Sequence, residues 1–191
     1  MAKLIFPSSK EAQKASRLAK KGKLLRIRKG IYIDTLDPEE VFKTLNNGWM
    51  DVACNIFDAP VAVARTAVEL KPAGGRLYFV SSKLKAHRAV SVGHLNFDIS
   101  PGNTSLGVEQ VGLEMTRSTP ARYCLENLVL SRGDKNSRKT LGSQWVESEL
   151  VKIIHRGGEQ AINDLRDEAR DLSVDLGLEK EFEKLDRKSV V

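Results

Sequence analysis

Apolar positions along the chain alternate between helical and strand spacing, and the switches divide it. In residues 10–21, Ala12, Ala15, Leu18 and Ala19 share one side of a helix. Lys10, Lys14, Arg17 and Lys21 fall on the other, at spacings of 4, 3 and 4. Pro7-Ser8-Ser9 offers an N-cap and Gly22 a C′ stop. Leu24–Ile27 and Ile31–Ile33 then read as two strands joined by a turn at Arg28-Lys29-Gly30. Ahead of the helix, Leu4-Ile5-Phe6 is a small strand or an apolar plug. Asp37-Pro38-Glu39-Glu40 starts another helix, with Asp at the N-cap and Pro at N1. Val41, Phe42, Leu45 and Trp49 continue its apolar face until Asn46-Asn47-Gly48, and a further short helix covers Met50–Phe57. Both are expected to pack on the Ala12/Ala15/Leu18/Ala19 face.

After Phe57 the texture changes. Val61-Ala62-Val63 is apolar and residues 65–70 make one or two helical turns. Strand spacing follows at Arg76–Val80, Ala89–Val92, Leu95–Ser100 and about Gln110–Met115, the pattern of an antiparallel or mixed sheet. From Thr119 onward the period is helical. Ala121, Cys124, Leu125 and Leu128 line one helix, and a polar loop runs from Ser131 to Lys139. A helix from Ser143 to His155 stops at Gly157-Gly158. Two more cover Glu159 to about Leu176 and Leu178–Lys188. The expected fold class is α+β: a winged-helix-like module (1–57), then a domain (58–191) with a small mixed or antiparallel sheet and a helical C-terminal half. No apolar run approaches the roughly 20 residues that span a membrane, and the first residues lack the apolar core of a signal peptide.

Charge changes the picture in one place. Residues 10–29 hold nine Lys and Arg against Glu11 alone, a local +8 in a chain whose total is +6. Residues 143–191 carry the opposite sign, with 12 acids and 8 Lys or Arg. A basic helix followed by a basic-tipped hairpin is the order of a recognition helix and wing. Lys10, Lys14, Arg17 and Lys21 would lie along a DNA groove, while Lys20, Lys23, Arg26, Arg28 and Lys29 would hold phosphates. RNA fits less well, because only Tyr32 supplies an aromatic beside the basic patch.

Chemistry is sparse elsewhere. His87, His94 and His155 have no metal-ligand spacing with one another or with Cys54 and Cys124, so no metal and no cofactor is expected. The two cysteines form no CxxC and read as thiols of a reducing, cytoplasmic compartment. Gly142-Ser143 with Glu147 and Glu149 reads as a helix start with exposed acids rather than a nucleotidyl-transfer motif. Neither GxSxG nor HExxH occurs, so no catalytic residue is assigned and no enzymatic activity is expected. Two polar groups remain. Arg122 and Glu126 stand at i, i+4 with Arg132 beyond them, and Arg166 and Arg170 decorate the Glu159 helix. These five are candidates for a polar inter-helix network or a partner-binding surface, against the plainer reading of solvated helix pairs.

RLAKKGKLLRIRKGIYI resembles the opening of abortive-infection type IV antitoxins (AbiEi-like), with Leu25, Arg26, Gly30, Ile31 and Tyr32 carrying the match. VAVARTAVEL, STPARYCLENLVLSRG and AINDLRDEARDL resemble the region that follows in such proteins, also found ahead of the catalytic domain in some bacterial Fic proteins. The resemblance implies a double-stranded-DNA-binding autoregulator or antitoxin of a toxin–antitoxin or phage-defence locus. A cognate toxin or Fic-type domain is the implied partner, and a homodimer would follow from a palindromic target. The alternative is a non-catalytic interaction module that docks such a domain. The chain departs from the family in two ways. The helices that precede a recognition helix are missing before Lys10, and the Fic His-Pro-Phe signature is absent.

Overall fold

The computed structural model describes residues 2–112 and 115–189. It is a mixed α/β fold with a helical C-terminal half. Three strands, β1 (Leu4–Ile5), β2 (Leu25–Arg28) and β3 (Ile31–Ile33), form a small antiparallel sheet in the order β1-β3-β2. Helix α1 (Ala12–Lys20) connects β1 to β2. The strand before the helix thus pairs with the far strand of the hairpin. Gly30, at φ +84, makes the hairpin turn, a conformation that costs a side-chain-bearing residue more.

β3 is buried on both faces. Tyr32 packs with Ala15 and Leu24, flanked by Ile5, Leu18 and Ala19, which seats α1 on one side of the sheet. Ile31 and Ile33 point the other way, into the main core. That core also receives Leu45 from α2 (Pro38–Asn47) and Trp49, Val52 and Ala53 from α3 (Trp49–Ile56). The expectation that these helices pack on α1 is therefore corrected. They meet the opposite face of the small sheet, because strand alternation turns Ile31 and Ile33 away from Tyr32. Ala12 is exposed and takes no part in docking α1.

The larger sheet has six strands in the order β6-β7-β5-β4-β9-β8. They are β4 (Val61–Ala62), β5 (Arg76–Ser81), β6 (Arg88–Val92), β7 (Leu95–Pro101), β8 (Val108–Val111) and β9 (Met115–Ser118). The β5–β7 and β4–β9 pairs are parallel and the rest antiparallel, so the sheet is mixed. Val61-Ala62 is a strand whose two residues left no period to read. The strand expected at Gln110–Met115 is instead the corner of the β8–β9 hairpin. Gly112 turns the chain at φ +71, and Leu113 and Glu114 lie outside the described residues. One face of this sheet, including Leu77, Phe79, Phe97, Ile99 and Met115, shares the core with Ile31, Ile33, Leu45 and Trp49.

The helical half comprises α4 (Ala64–Glu69), α5 (Pro120–Leu128), α6 (Ser143–Leu176) and α7 (Glu179–Ser189). Gly158 breaks α6 at φ +69 and ψ −164, where the Gly157-Gly158 pair is expected to end a helix. Cys124, Leu125, Val146, Leu150, Leu165 and Leu185 form a second core. Burial pushes the Cys124 thiol up, so it stays protonated and unreactive at neutral pH.

Phe42 also departs from its expected place. It is 54% exposed and stacks on His94 at 4.2 Å between ring centroids, while His94 Nε2 lies 3.2 Å from Asn46 Oδ1. The β6–β7 turn thus sits over α2. Gly93 keeps it close, since a Cβ there would come within 2.6 Å of Leu45.

Leu45 is fully buried in the core that the small and large sheets share. Leu45→Ala should lower stability by about 2–5 kcal/mol, measured by urea unfolding. Burial holds His94 below its ordinary pKa of 6.5. The unfolded chain then takes up the proton first, so this contribution is present above pH 6.5 and declines as pH falls below it. His94→Gln should flatten that acid limb of the stability curve; an unchanged limb would remove His94 as its source.

Candidate nucleic-acid interface

α1 is short and carries its cations away from the sheet because its only apolar anchors, Ala15, Leu18 and Ala19, face Tyr32. Lys10, Lys14, Arg17 and Lys21 line one shallow groove with Gln13 and Leu18, so the 4-3-4 spacing does produce a continuous basic strip. All four are exposed, as are Lys20, Lys23, Arg26 and Lys29. Among the described residues, none of these eight side chains forms an ion pair. The local acid, Glu11, is engaged at the helix start. Its Oε2 accepts from the Ser8 hydroxyl at 2.8 Å and the Ser8 N–H at 3.3 Å, which holds the carboxyl below its usual range. Helix α1 begins one turn beyond Ser8, whose carbonyl accepts from Glu11 and Ala12.

The hairpin is not free to swing. Arg28 Nη1 donates to the Ser91 carbonyl at 3.1 Å, fastening β2 to β6, an edge strand of the large sheet. Ile27 packs on the main core nearby. Arg28 is half-buried, and one of its donors serves the fold. Sequence spacing did not show this, because β6 lies 63 residues away. Arg26 and Lys29 remain exposed on the same hairpin.

The residues considered for a partner surface fall in different surroundings. Arg122 is 2% exposed. Its guanidinium donates to Glu126 Oε1 at 2.8 Å, to the Leu106 carbonyl at 2.6 Å and to the Asn103 carbonyl at 3.0 Å. Glu126 Oε2 accepts from Ala64 N–H at 2.7 Å and Ser118 Oγ at 2.8 Å. Ala64 has φ +49, an uncommon conformation for a residue with a Cβ, and Glu126 satisfies its amide. This pair is a buried clamp among α4, α5, β9 and the 103–106 loop. That corrects its assignment to a partner surface, since its polar atoms are already used inside the chain. Arg166 bonds Asp186 through Nε at 2.9 Å and ties α6 to α7. Arg170 pairs with Asp167 at 2.9 Å and lies 5.8 Å from the centre of the Phe182 ring. Arg132 is exposed in the loop after α5 and does not adjoin the other four in one patch given by these contacts.

Among the described residues, no cluster of His, Cys, Asp or Glu has the makings of a metal site, and no helix is long and apolar enough to cross a membrane. No protein-family model, curated protein or solved structure matches the chain.

Removing one half of the clamp leaves a buried charge without its partner. Glu126→Ala should cost about 3–5 kcal/mol. Asp167→Ala, which breaks an exposed pair of the same i, i+3 or i, i+4 kind, should leave stability nearly unchanged. Equal losses in thermal or urea unfolding would contradict the distinction.

Proposed function

We propose that this chain is a duplex-DNA-binding regulator, an autoregulator or antitoxin of the kind its AbiEi-like resemblance implies. One observation carries the reading. Eight exposed cations, none in an ion pair among the described residues, stand on α1, its flanking turns and the adjoining hairpin, while the module's apolar residues are committed to the sheet behind them. A helix presenting Lys14 and Arg17, with Lys10 and Lys21 in the turns at its ends, suits the major groove, and Arg26 and Lys29 are placed for flanking phosphates. Cations left unpaired by the fold release counterions fully when they meet a polyanion, which is where such binding draws its affinity.

In this reading the small sheet supplies the scaffold that helices ahead of a recognition helix provide in a fuller winged helix. The protein acts in the cytoplasm, where DNA is at hand and Cys54 and Cys124 stay reduced. A cognate toxin or Fic-type domain would be a partner of the rest of the chain. The reading assigns no catalytic step.

The test is duplex binding against NaCl concentration, with random DNA and with the DNA upstream of the protein's own gene. Each phosphate contact adds about 0.9 to the slope of log K against log salt. Arg26→Ala with Lys29→Ala should therefore weaken binding on every sequence and flatten the slope by about 1.8. Arg26→Ala should flatten it by about 0.9. Absence of duplex binding by the wild type at low salt would overturn the proposal and favour the interaction module.

A further inference from the structure

The 129–142 loop has no regular secondary structure, yet it is tied down along its length. Arg65 Nη1 donates to the Lys135 carbonyl at 2.7 Å, and Arg65 N–H to the Lys139 carbonyl at 3.1 Å. The Tyr78 hydroxyl donates to the Ser137 carbonyl. Thr140 Oγ1 bonds the Val129 carbonyl at 2.9 Å, and Leu141 N–H bonds the buried Asn127 at 2.9 Å. Long loops without secondary structure are uncommon in compact domains, and one this well fixed is a frequent seat of function.

The loop closes one side of a polar pocket of about 230 Å³ against the β5–β7 face of the large sheet. Arg76, His87, Arg132 and Lys139 converge on it from three parts of the chain, with the Ser100 and Ser131 hydroxyls between them. The carboxylate of Asp98 is the acid in its lining, 3.4 Å from Arg76 Nη1 and 3.5 Å from His87 Nε2. Arg132 and Lys139 make no side-chain hydrogen bond or ion pair among the described residues. Three permanent cations thus face one anion, in a pocket rich in donors.

We infer that this pocket binds the phosphoryl group of a small phosphorylated ligand. Arg132 and Lys139 supply the charge that Asp98 does not offset, and Arg76 is held in place by Asp98. Guanidinium and ammonium groups beside hydroxyl donors suit the several acceptor oxygens of a phosphoryl group. The volume is below the ~300–1,000 Å³ of sites that enclose drug-sized ligands, so the phosphoryl end enters and the remainder of the ligand lies outside. The pocket involves none of the α1 or hairpin cations, and the inference stands apart from the DNA-binding proposal.

The probe is inorganic phosphate, titrated into the full chain against chloride at matched ionic strength and followed by amide chemical shifts. The expected result is saturable shifts at Arg76, Ser100, Ser131 and Lys139, with affinity falling about tenfold or more in Arg132→Gln/Lys139→Gln. Asp98→Asn removes the opposing charge and should tighten phosphate binding, a change of sign that loss of structure would not produce. Shifts no larger than those from chloride would overturn the inference. So would weakened duplex-DNA binding in Arg132→Gln/Lys139→Gln without saturable phosphate binding by the wild type, because the pocket would then serve a DNA backbone phosphate.

Discussion

The structure depends on a three-residue strand that is buried on both sides. Ile31 and Ile33 belong to the core that fills the space under the large sheet, and Tyr32 belongs to the patch that holds α1. Pairing fixes which side is which. Leu4 sits opposite Ile33 and Ile5 opposite Tyr32, so β1 repeats the same division. A slip of one residue would bring Tyr32 into the main core and turn both isoleucines toward α1. The basic module is therefore oriented by the packing of residues that carry no charge. Its helix is too short to be stable alone, and most of its order comes from docking against Tyr32 and Leu24.

The opposite charges of the chain's two ends do not cancel within the fold. Five of the twelve acids of the C-terminal helices are matched locally or between α6 and α7. Glu149 pairs with Lys152, Asp167 with Arg170, Glu181 with Lys184, Glu147 with Lys188 and Asp186 with Arg166. The Lys188 contact holds the Glu147 carboxyl below its usual range. Among the described residues the cations of α1 form no such pair; Glu11 feels Lys14 but is bonded to Ser8. A segment of like charges repels itself, and folding gains nothing from leaving it uncompensated. Binding a polyanion is the role we propose for such an arrangement.

Much of the fold was legible in the chain. Periodicity located α1, α2, α5, both parts of α6 and the β2–β3 hairpin to within a residue or two, because each has a clear apolar face and a capping or turn residue at its end. The cationic strip along α1 was legible for the same reason, being a matter of helical geometry alone. Features set by distant pairing were not. β4 is two residues long, and its strand character comes from lying between β5 and β9. Phe42 belongs to the apolar face by spacing, yet the β6–β7 turn offers it His94 instead of a core. The pocket beside the 129–142 loop joins residues from four separate segments, so no local pattern announces it.

Arginine shows most plainly what sequence withholds. Arg122 with Glu126, and Arg170 with Asp167, are both helical pairs of the sort that dots exposed surfaces. Only the folded chain distinguishes them. Arg122 meets three acceptors out of water, and its carboxylate partner serves two further donors, so the pair is part of the architecture. Arg28 commits one donor to an edge strand and so holds a hairpin. Arg17 and Arg26 are exposed and commit none among the described residues. A buried guanidinium whose donors are all engaged cannot meet a ligand without breaking what holds it, whereas an exposed one gives up only water and counterions. Counting donors already used therefore separates the arginines that build this protein from those, such as Arg17, Arg26 and Arg132, whose side chains stay uncommitted among the described residues.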